Sequence, residues 1–282
     1  PGKLQAIRPL KDGVIADFDI TESMLRHFIE KVTGHSFMIR PRIMVCIPSC
    51  ITMVEQRAIQ EAAEQAGARS TYLIEEPLAA AMGAGLDISE PYGSMVVDIG
   101  GGTTDVAVIS LGGIVISDSL RVAGDKFDEA IMDYIKKEFN LMIGERTAEN
   151  IKMEVGAAFP EARHSKMNIR GRDLLTGLPK NIEVTTEQVS KALESSVVQI
   201  VDCVKEVLEK CPPELASDIM DHGIILTGGG AMLYGLDELI RKETQISTSL
   251  AEDPLSCVAL GTGRALENID KLDSKKSIAF WK

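Results

Sequence analysis

Apolar positions along the chain follow helix-like and strand-like patterns in turn. Between residues 21 and 32 they recur every three or four positions, which predicts an amphipathic helix with Asp19 or Thr21 as its N-cap. Residues 42–47 carry a nearly continuous apolar run, which predicts a buried strand in a parallel or mixed sheet. Helices and strands alternate in this way over about the first 90 residues, an order typical of layered α/β folds.

The middle of the chain has the pattern of a strand meander followed by helices. Apolar runs at residues 95–99, 104–110 and 114–120 are separated by glycine-rich turns, which predicts three antiparallel strands. Residues 126–210 are mainly helical in pattern and contain a polar, basic, hairpin-like insert over residues 163–181. We expect part of this stretch to form a small subdomain.

Two capping boxes mark the starts of helices. In each, a threonine is followed three residues later by Glu or Gln, so that each of the two side chains can bond to the other residue's backbone N–H. The pairs are Thr52 with Glu55 and Thr185 with Gln188. A further short buried strand is predicted at residues 223–226, and helices follow it.

The composition is that of an ordinary globular protein with an acidic surface. Of 282 residues, 45% are hydrophobic and 26% charged, which is enough apolar material for a buried core. The net charge of −12 opposes general attraction to nucleic acid or anionic lipid, so either partner would need a local basic patch. No apolar run reaches the roughly 18 residues of a membrane span and no signal peptide opens the chain, so we expect a soluble protein.

The cysteines and histidines argue against disulfide and metal chemistry. The cysteines have no Cys-x-x-Cys spacing, and no secretory segment is evident. We therefore expect a cytosolic protein whose thiols are reduced and whose cysteines pack as small core residues. The four histidines are far apart in the sequence, so a histidine metal site or a histidine-based catalytic triad is disfavoured. The five cysteines are Cys46, Cys50, Cys203, Cys211 and Cys257.

A first glycine triplet follows the strand predicted at residues 95–99. It lies in the segment Asp98-Ile-Gly-Gly-Gly-Thr-Thr104. Glycines let the backbone approach a ligand closely and leave N–H groups free to hold phosphate oxygens. Asp98, at the strand end, is placed to hold Mg²⁺ through its water shell, because Mg²⁺ keeps several waters beside one or two carboxylates. A glycine-rich hairpin turn with a capping aspartate would explain the same residues without a ligand.

A second glycine triplet, in the segment Leu226-Thr-Gly-Gly-Gly-Ala-Met232, follows the later buried strand. Such a loop could pass flat against a nucleobase or ribose, although a simple strand-to-helix turn would give the same pattern. Neither triplet has the Gly-Lys-Ser/Thr of a Walker A loop or the spacing of a dinucleotide fingerprint. The common nucleotide-binding folds are therefore disfavoured.

Together the two loops resemble the second phosphate motif and the adenosine motif of the actin, chaperone and sugar-kinase ATPase superfamily, in their order and in their spacing of about 128 residues. Other segments resemble the bacterial actin family of MreB and its close paralogues such as Mbl over essentially the whole chain. These are Ala6-Ile-Arg-Pro-Leu-Lys-Asp-Gly-Val-Ile-Ala-Asp17, Leu73-Ile-Glu-Glu-Pro77, Gly144-Glu-Arg-Thr-Ala-Glu-Asn-Ile-Lys152 and Arg170-Gly-Arg-Asp-Leu-Leu-Thr-Gly-Leu-Pro179. The resemblance implies an α/β, actin-like (ribonuclease H-like) fold with ATP or ADP and Mg²⁺ in a cleft between two lobes.

The resemblance also implies roles for individual residues. Glu76 and Thr103 match groups that orient the attacking water, and a carboxylate facing a γ-phosphate suits that role. Glu149 and Lys152 match ribose and adenine contacts. From the residues alone, Glu76 can also be a helix N-terminal acid, and the Glu149–Lys152 pair a solvated helix face. The other nucleotide contacts that the resemblance implies are Gly100, Gly101, Gly102, Thr103, Thr104, Gly124, Gly228, Gly229, Gly230, Ala231 and Met232.

A small apolar segment, Phe37, Met38 and Ile39, joins the first predicted helix to the first strand and is flanked by basic residues. This is the composition of a shallow membrane anchor, in which apolar insertion adds to attraction for anionic lipid. Alternatively, Ile39 starts the strand and Phe37 packs inward. Family members place a membrane-inserting loop in this region, which favours the anchor.

One family motif is missing from the sequence. Family members begin with an Asp-x-Gly-Thr-like first phosphate loop, which is not found here, and the chain opens at Pro1. We therefore expect an N-terminally truncated first lobe, weak nucleotide binding and little turnover. The lobes are expected to be residues 1–93 plus 254–282, and residues 94–253 with a smaller outer part over about 126–195.

The function that the resemblance implies is that of an ATP-binding cytoskeletal protein. It forms paired filaments of itself on the inner face of the cell membrane, works with cell-wall elongation proteins, maintains rod shape and has weak ATPase activity coupled to polymerisation; no nucleic acid partner is expected. The alternative is a sugar or acetate kinase of the same superfamily, which needs an acceptor pocket and a catalytic base for which no segment is evident. A chaperone is disfavoured, since no peptide-binding domain follows residue 282.

Overall fold

A computed structural model of the chain describes residues 7–11, 13–34 and 39–269. Its first part contains β1 (Leu10–Lys11), β2 (Val14–Ile15), α1 (Phe18–Thr33), β3 (Arg42–Ile47), α2 (Met53–Gln65), β4 (Ser70–Glu75), α3 (Glu76–Gly83), β5 (Ser94–Ile99), β6 (Thr104–Ser110) and β7 (Gly113–Leu120). The second part contains α4 (Gly124–Phe139), β8 (Leu141–Met142), α5 (Glu145–Val155), β9 (Lys166–Asp173), β10 (Pro179–Thr185), α6 (Thr186–Lys210), α7 (Pro213–His222), β11 (Ile224–Thr227), α8 (Leu236–Thr244), β12 (Thr248–Leu250) and α9 (Cys257–Glu267).

A five-stranded sheet in the order β12-β11-β5-β6-β7 forms the centre of the molecule. β5, β6 and β7 pair as an antiparallel meander, as the apolar runs predicted. β11, from much later in the chain, lies parallel to both β5 and β12. The sheet therefore brings the end of β11 beside the end of β5, where the two glycine triplets begin.

The side chains of β5 and β6 alternate between two apolar clusters, one on each face of the sheet. Val97 and Val106 join the larger cluster, which includes Phe127 of α4 and most of the buried face of α6. Val96 and Ala107 join the smaller cluster with α3. Both strands are buried along nearly their whole length, which is why their sequences are continuous apolar runs rather than alternating ones.

Helices α3 and α9 pack so closely that glycine is required on both. A Cβ on Gly83 would lie 1.7 Å from the carbonyl oxygen of Cys257, and a Cβ on Gly261 would lie 1.7 Å from that of Ala79. α9 also packs against β3, which pairs in parallel with β4. This contact joins the β3–β4 pair to the back of the central sheet.

The helix starts agree with the sequence prediction in two of three places. Both capping boxes are confirmed, at the starts of α2 and α6. The predicted N-cap of α1 is wrong: the cap is Asp17, whose carboxylate accepts a hydrogen bond from the Ile20 N–H at 3.1 Å. Thr21 lies inside the helix, where its hydroxyl donates to the Asp17 carbonyl at 2.6 Å and cannot cap.

The outer part of the molecule contains the predicted hairpin. β9 and β10 pair in antiparallel register from Lys166 with Thr185 to Arg172 with Pro179, and the short strand β8 adds to β9. The expectation that all five cysteines are core residues is wrong for Cys50, which is exposed in the turn after β3.

Candidate functional site

The two glycine loops leave the central sheet at the same end. β5 and β11 are parallel neighbours, and Asp98 is in register with Thr227 at their last paired positions. The Thr227 hydroxyl donates to Asp98 Oδ1 at 2.9 Å. The sequence prediction that both loops line one hollow is therefore confirmed.

The second triplet packs closely against the end of β5. This close approach is possible because glycines have no side chain. A Cβ on Gly228 would lie 2.3 Å from the Ile99 carbonyl oxygen, and one on Gly230 would lie 2.5 Å from Ile99 Cγ2. Gly228 also has φ +83°, in the left-handed region that favours glycine. Close packing between the loops, independently of any ligand, thus explains Gly228 and Gly230.

The first triplet has a different environment. The Gly100 N–H donates to the Thr103 carbonyl at 2.9 Å, and the carbonyls of Gly100 and Gly101 accept hydrogen bonds from the first N–H groups of α4. A Cβ on Gly101 would meet its nearest atom only at 3.8 Å, so packing does not require glycine there. Among the described residues, nothing accepts a hydrogen bond from the N–H of Gly101 or Gly102. This loop can therefore offer free backbone donors to an anion.

A cavity of about 420 Å³ lies over these loops, within the range of small-molecule and cofactor sites. The predicted site residues that line it are Glu76, Asp98, Gly100, Gly101, Gly102, Thr103, Gly228 and Gly229. The sequence analysis missed Leu10, Lys11, Gly13, Asp125, Pro254, Leu255 and Val258. Of these, Gly13 had the clearest signal, since Asp-Gly is a turn dipeptide.

Several predicted nucleotide contacts are not among the lining residues. The Thr104 side chain is fully buried, and its hydroxyl donates to the Val122 carbonyl at 2.7 Å, which occupies that donor within the protein. Gly230 and Ala231 are buried beneath the loop, whereas Met232 is about half exposed. Gly124 lies directly behind the first triplet, with its N–H on the Gly100 carbonyl at 3.1 Å.

The predicted Glu149–Lys152 pair does not interact directly. Glu149 is exposed on α5. The Lys152 ammonium donates to the Gly124 carbonyl at 3.1 Å and to the Asp128 carboxylate at 3.0 Å, so it braces the backbone at the start of α4. Burial nevertheless raises the pKa of Asp128 despite this lysine, which shows that the ion pair does not fully offset the cost of desolvation.

Two carboxylates that line the cleft, those of Glu76 and Asp98, are electrostatically coupled to each other and to the buried Asp105. Burial, followed by the charges of Asp105 and Asp98, raises the pKa of Glu76 to about 8. Burial raises the pKa of Asp98 to about 6, although the hydrogen bond from Thr227 acts in the opposite direction. Burial also raises the pKa of Asp105, whose Oδ1 accepts from the Ser49 N–H at 2.9 Å. A cation placed beside this group would relieve the mutual repulsion.

The described residues contain no group of three or more side chains that could hold a metal ion by themselves. Mg²⁺ does not need such a group, because it is usually bound by one or two carboxylates together with waters and phosphate oxygens. Asp98 fits that pattern, since Thr227 engages only its Oδ1 atom and the residue lines the cleft.

Of the predicted membrane segment, Phe37 and Met38 lie outside the described residues. Ile39 is described, and 54% of its surface is exposed. Within the part of the chain that the structure describes, no helix has the length and apolar character needed to cross a bilayer.

The chain is similar to known proteins over nearly all of its length. The MreB/Mbl protein family matches residues 1–274. The cell shape-determining protein Mbl of Bacillus subtilis (strain 168) is 56% identical over 276 residues, which are 98% of this chain and 83% of that protein. The cell shape-determining protein MreB of Escherichia coli (strain K12) is 55% identical over 271 residues, which are 96% of this chain and 78% of that protein.

The chain is also similar to solved structures. MreB5 of Spiroplasma citri bound to ADP has a TM-score of 0.91 at 38% identity, covering 98% of this chain and 83% of that one. The same protein bound to AMPPNP has a TM-score of 0.90 at 38% identity, covering 97% and 83%. A MamK double helical filament, at 21% identity and a TM-score of 0.78, shows the shared fold alone and covers 92% of this chain and 80% of that one. The family match, the two relatives and the actin-like fold together show that this chain belongs to the MreB/Mbl family of actin-like cytoskeletal proteins.

Proposed function

We propose that this chain binds an adenine nucleotide with Mg²⁺ in the cleft between its two glycine loops. The observation that carries the proposal is the convergence of those loops, with two backbone N–H groups that no described residue occupies. Such donors suit phosphate oxygens, and the cleft has the volume of a cofactor site. MreB5, at 38% identity, is bound to ADP in one structure and to AMPPNP in another, which supports the same ligand class here.

Different residues in and near the cleft contact different parts of the nucleotide. Gly101, Gly102 and Thr103 hold phosphate oxygens, and Gly229 lies against the nucleoside. Asp98 would hold Mg²⁺ through its water shell, and the ion would supply charge neutralisation at the phosphates. Glu149, exposed on α5, contacts the ribose or base beyond Gly124, and Lys152 holds the backbone of Gly124 in place.

Glu76 and Thr103 orient a water molecule in a slow hydrolysis step. Both residues line the cleft. With a pKa of about 8, the Glu76 carboxyl holds a proton at neutral pH in the ligand-free chain. Only the ionised fraction of Glu76 can accept a proton from water, which fits a weak ATPase rather than a fast one.

The bound nucleotide is proposed to control assembly through the arrangement of two lobes. The first lobe is residues 1–93 plus 254–282 and the second is residues 94–253, with an outer part over about 126–195. Since both glycine loops and Glu76 border the same cleft, ligands that differ by one phosphate would favour different closures. Copies of the chain joined head to tail by a repeating contact would then form open, paired filaments.

We also propose that these filaments lie on the inner face of the cell membrane and organise cell-wall elongation proteins, thereby maintaining rod shape. The relatives named cell shape-determining proteins support the cellular role. The exposed side chains of Phe28 and Val32, four residues apart on α1, add apolar surface on the helix that leads into the predicted anchor segment. Apolar surface of this kind favours an interfacial contact.

Binding and assembly can be tested on the same preparation. Titration calorimetry with Mg-ADP and Mg-AMPPNP should show one site per chain, and ultracentrifugation with negative-stain microscopy should show filaments that depend on nucleotide. Absence of binding at millimolar nucleotide would overturn the proposal. A phosphorylated sugar or acetate product would instead assign the chain to the kinases.

The membrane contact needs a separate test. Phe37→Ser with Met38→Ser should abolish co-sedimentation with vesicles that contain anionic lipid. Met53→Ser is the matched control, because this substitution removes a similar apolar side chain elsewhere on the surface. Met53 is 85% exposed at the start of α2. Equal binding of both variants would exclude the proposed anchor.

A further inference from the structure

Among the described residues that line the cleft, Lys11 is the only one with a cationic side chain. The same lining includes the carboxylates of Glu76, Asp98 and Asp125. A polyphosphate adds several more negative charges to such a site, so every positive charge within reach counts toward binding. Lys11 lies in the segment over residues 6–17 that carries part of the family resemblance, but the sequence analysis did not assign it to the site.

Other cations close to the cleft are already engaged. Arg8 forms an ion pair with Asp125 at 2.9 Å and lies 3.8 Å from Glu145. Lys152 is held by Asp128 and the Gly124 carbonyl. Within residues 7–11, 13–34 and 39–269, by contrast, the side chain of Lys11 makes no hydrogen bond or ion pair, and the residue is exposed. Its ammonium group is therefore available to a ligand.

The backbone that carries Lys11 is fixed beside the first glycine loop. Lys11 ends β1, and the turn to β2 contains Gly13 with φ +77°. A Cβ on Gly13 would lie 2.7 Å from Pro48 Cγ and 3.0 Å from Thr103 Cγ2. The turn is thus wedged between the end of β3 and Thr103. Lys11 belongs to the segment assigned to the first lobe, whereas Thr103 belongs to the second.

We propose that Lys11 binds the terminal phosphate of a nucleoside triphosphate. The inference rests on the nucleotide site proposed above, in which Thr103 and Glu76 mark the end of the cleft where the terminal phosphate lies. A lysine ammonium is a compact point charge that suits a phosphate oxygen. Since a diphosphate has no third phosphate, this contact ties the first lobe to the ligand only in the triphosphate state.

The test compares two nucleotides on one variant. Lys11→Gln should weaken binding of Mg-AMPPNP about tenfold and change the affinity for Mg-ADP less than twofold, both measured by titration calorimetry. Lys11→Arg should recover most of the lost affinity, because it restores the charge. Lys136→Gln, an exposed lysine in the last turn of α4, is the control for a general loss of positive charge and should leave both affinities unchanged.

The outcomes separate this inference from the nucleotide site itself. If the unmodified chain binds both nucleotides and Lys11→Gln weakens them equally, or weakens neither, the assignment of Lys11 is wrong while the site stands. If the unmodified chain binds neither nucleotide, both proposals are overturned. Circular dichroism of each variant should match that of the unmodified chain, because the Lys11 side chain is exposed and the substitutions leave the backbone pairing of Lys11 with Val14 in place.

Discussion

Replacing Glu76 by glutamine should make the stability of the nucleotide-free chain less sensitive to pH. Burial and the neighbouring charges of Asp105 and Asp98 raise the pKa of Glu76 from 4.5 to about 8. Between these two values the folded chain keeps a proton that the unfolded chain has released. The free energy of unfolding therefore falls as pH rises through this interval, and the contribution is present in full only below the ordinary carboxyl pKa.

The size of the effect follows from the shift. One pKa unit corresponds to about 1.4 kcal/mol, so a shift from 4.5 to about 8 sets a ceiling of roughly 5 kcal/mol. Glu76 is partly exposed at the wall of the cleft, so water and side chains can rearrange around its charged form. We therefore expect about 1–3 kcal/mol of the fall in stability between pH 5.5 and 8.5 to disappear in Glu76→Gln.

The assay is urea unfolding, followed by circular dichroism, at pH 5.5 and 8.5. Groups that titrate identically in both chains, including the thiols of the unfolded state, cancel in the difference between variant and unmodified protein. Glu61→Gln is the control, because it removes an exposed carboxylate on α2. The pH dependence of its stability should match that of the unmodified chain. If the stability of Glu76→Gln falls with pH as steeply as that of the unmodified chain, Glu76 does not hold its proton at neutral pH. The proposed electrostatic coupling of Glu76 with Asp98 and Asp105 would then be wrong.

Substitutions at three further sites test loop packing, ligand contact and a helix cap in turn. Gly228→Ala should destabilise the fold by about 3 kcal/mol or more, seen as a lower melting temperature, because its Cβ would lie 2.3 Å from the Ile99 carbonyl at a φ of +83°. Gly101→Ala, in the open loop, should leave the melting temperature nearly unchanged but weaken nucleotide binding; the reverse pattern would refute the distinction. Thr185→Ala should cost about 1 kcal/mol in urea unfolding through loss of the α6 cap, whereas Thr185→Ser should be near neutral.

The elements that the sequence predicted well are those whose pattern is complete within one segment. β3 has the predicted limits, and the α2 and α6 starts follow from capping boxes that bond within a few residues. The strands β1, β2, β8 and β12 were missed because they have only two or three residues each, and such strands are defined by their partners in the sheet rather than by their own side chains.

The site shows the same division between local and long-range information. The glycine triplets were recognisable, and the parallel pairing of β5 with β11 confirms that they meet. Sequence could not distinguish a glycine that faces the cleft, such as Gly101, from one that packs against backbone, such as Gly230. Lys11 was missed for a related reason, since only the folded chain brings it into the same cleft lining as Thr103.

The most direct test of the nucleotide site is hydrogen–deuterium exchange with and without Mg-AMPPNP. Peptides that cover residues 98–104 and 226–232 should both exchange more slowly when the nucleotide is added, because the free N–H groups of the first loop gain acceptors and the second loop is covered by the nucleoside. Peptides from the β9–β10 hairpin serve as the internal reference and should be unchanged. Slower exchange in only one of the two loops, or in neither, would contradict a single ligand held between them.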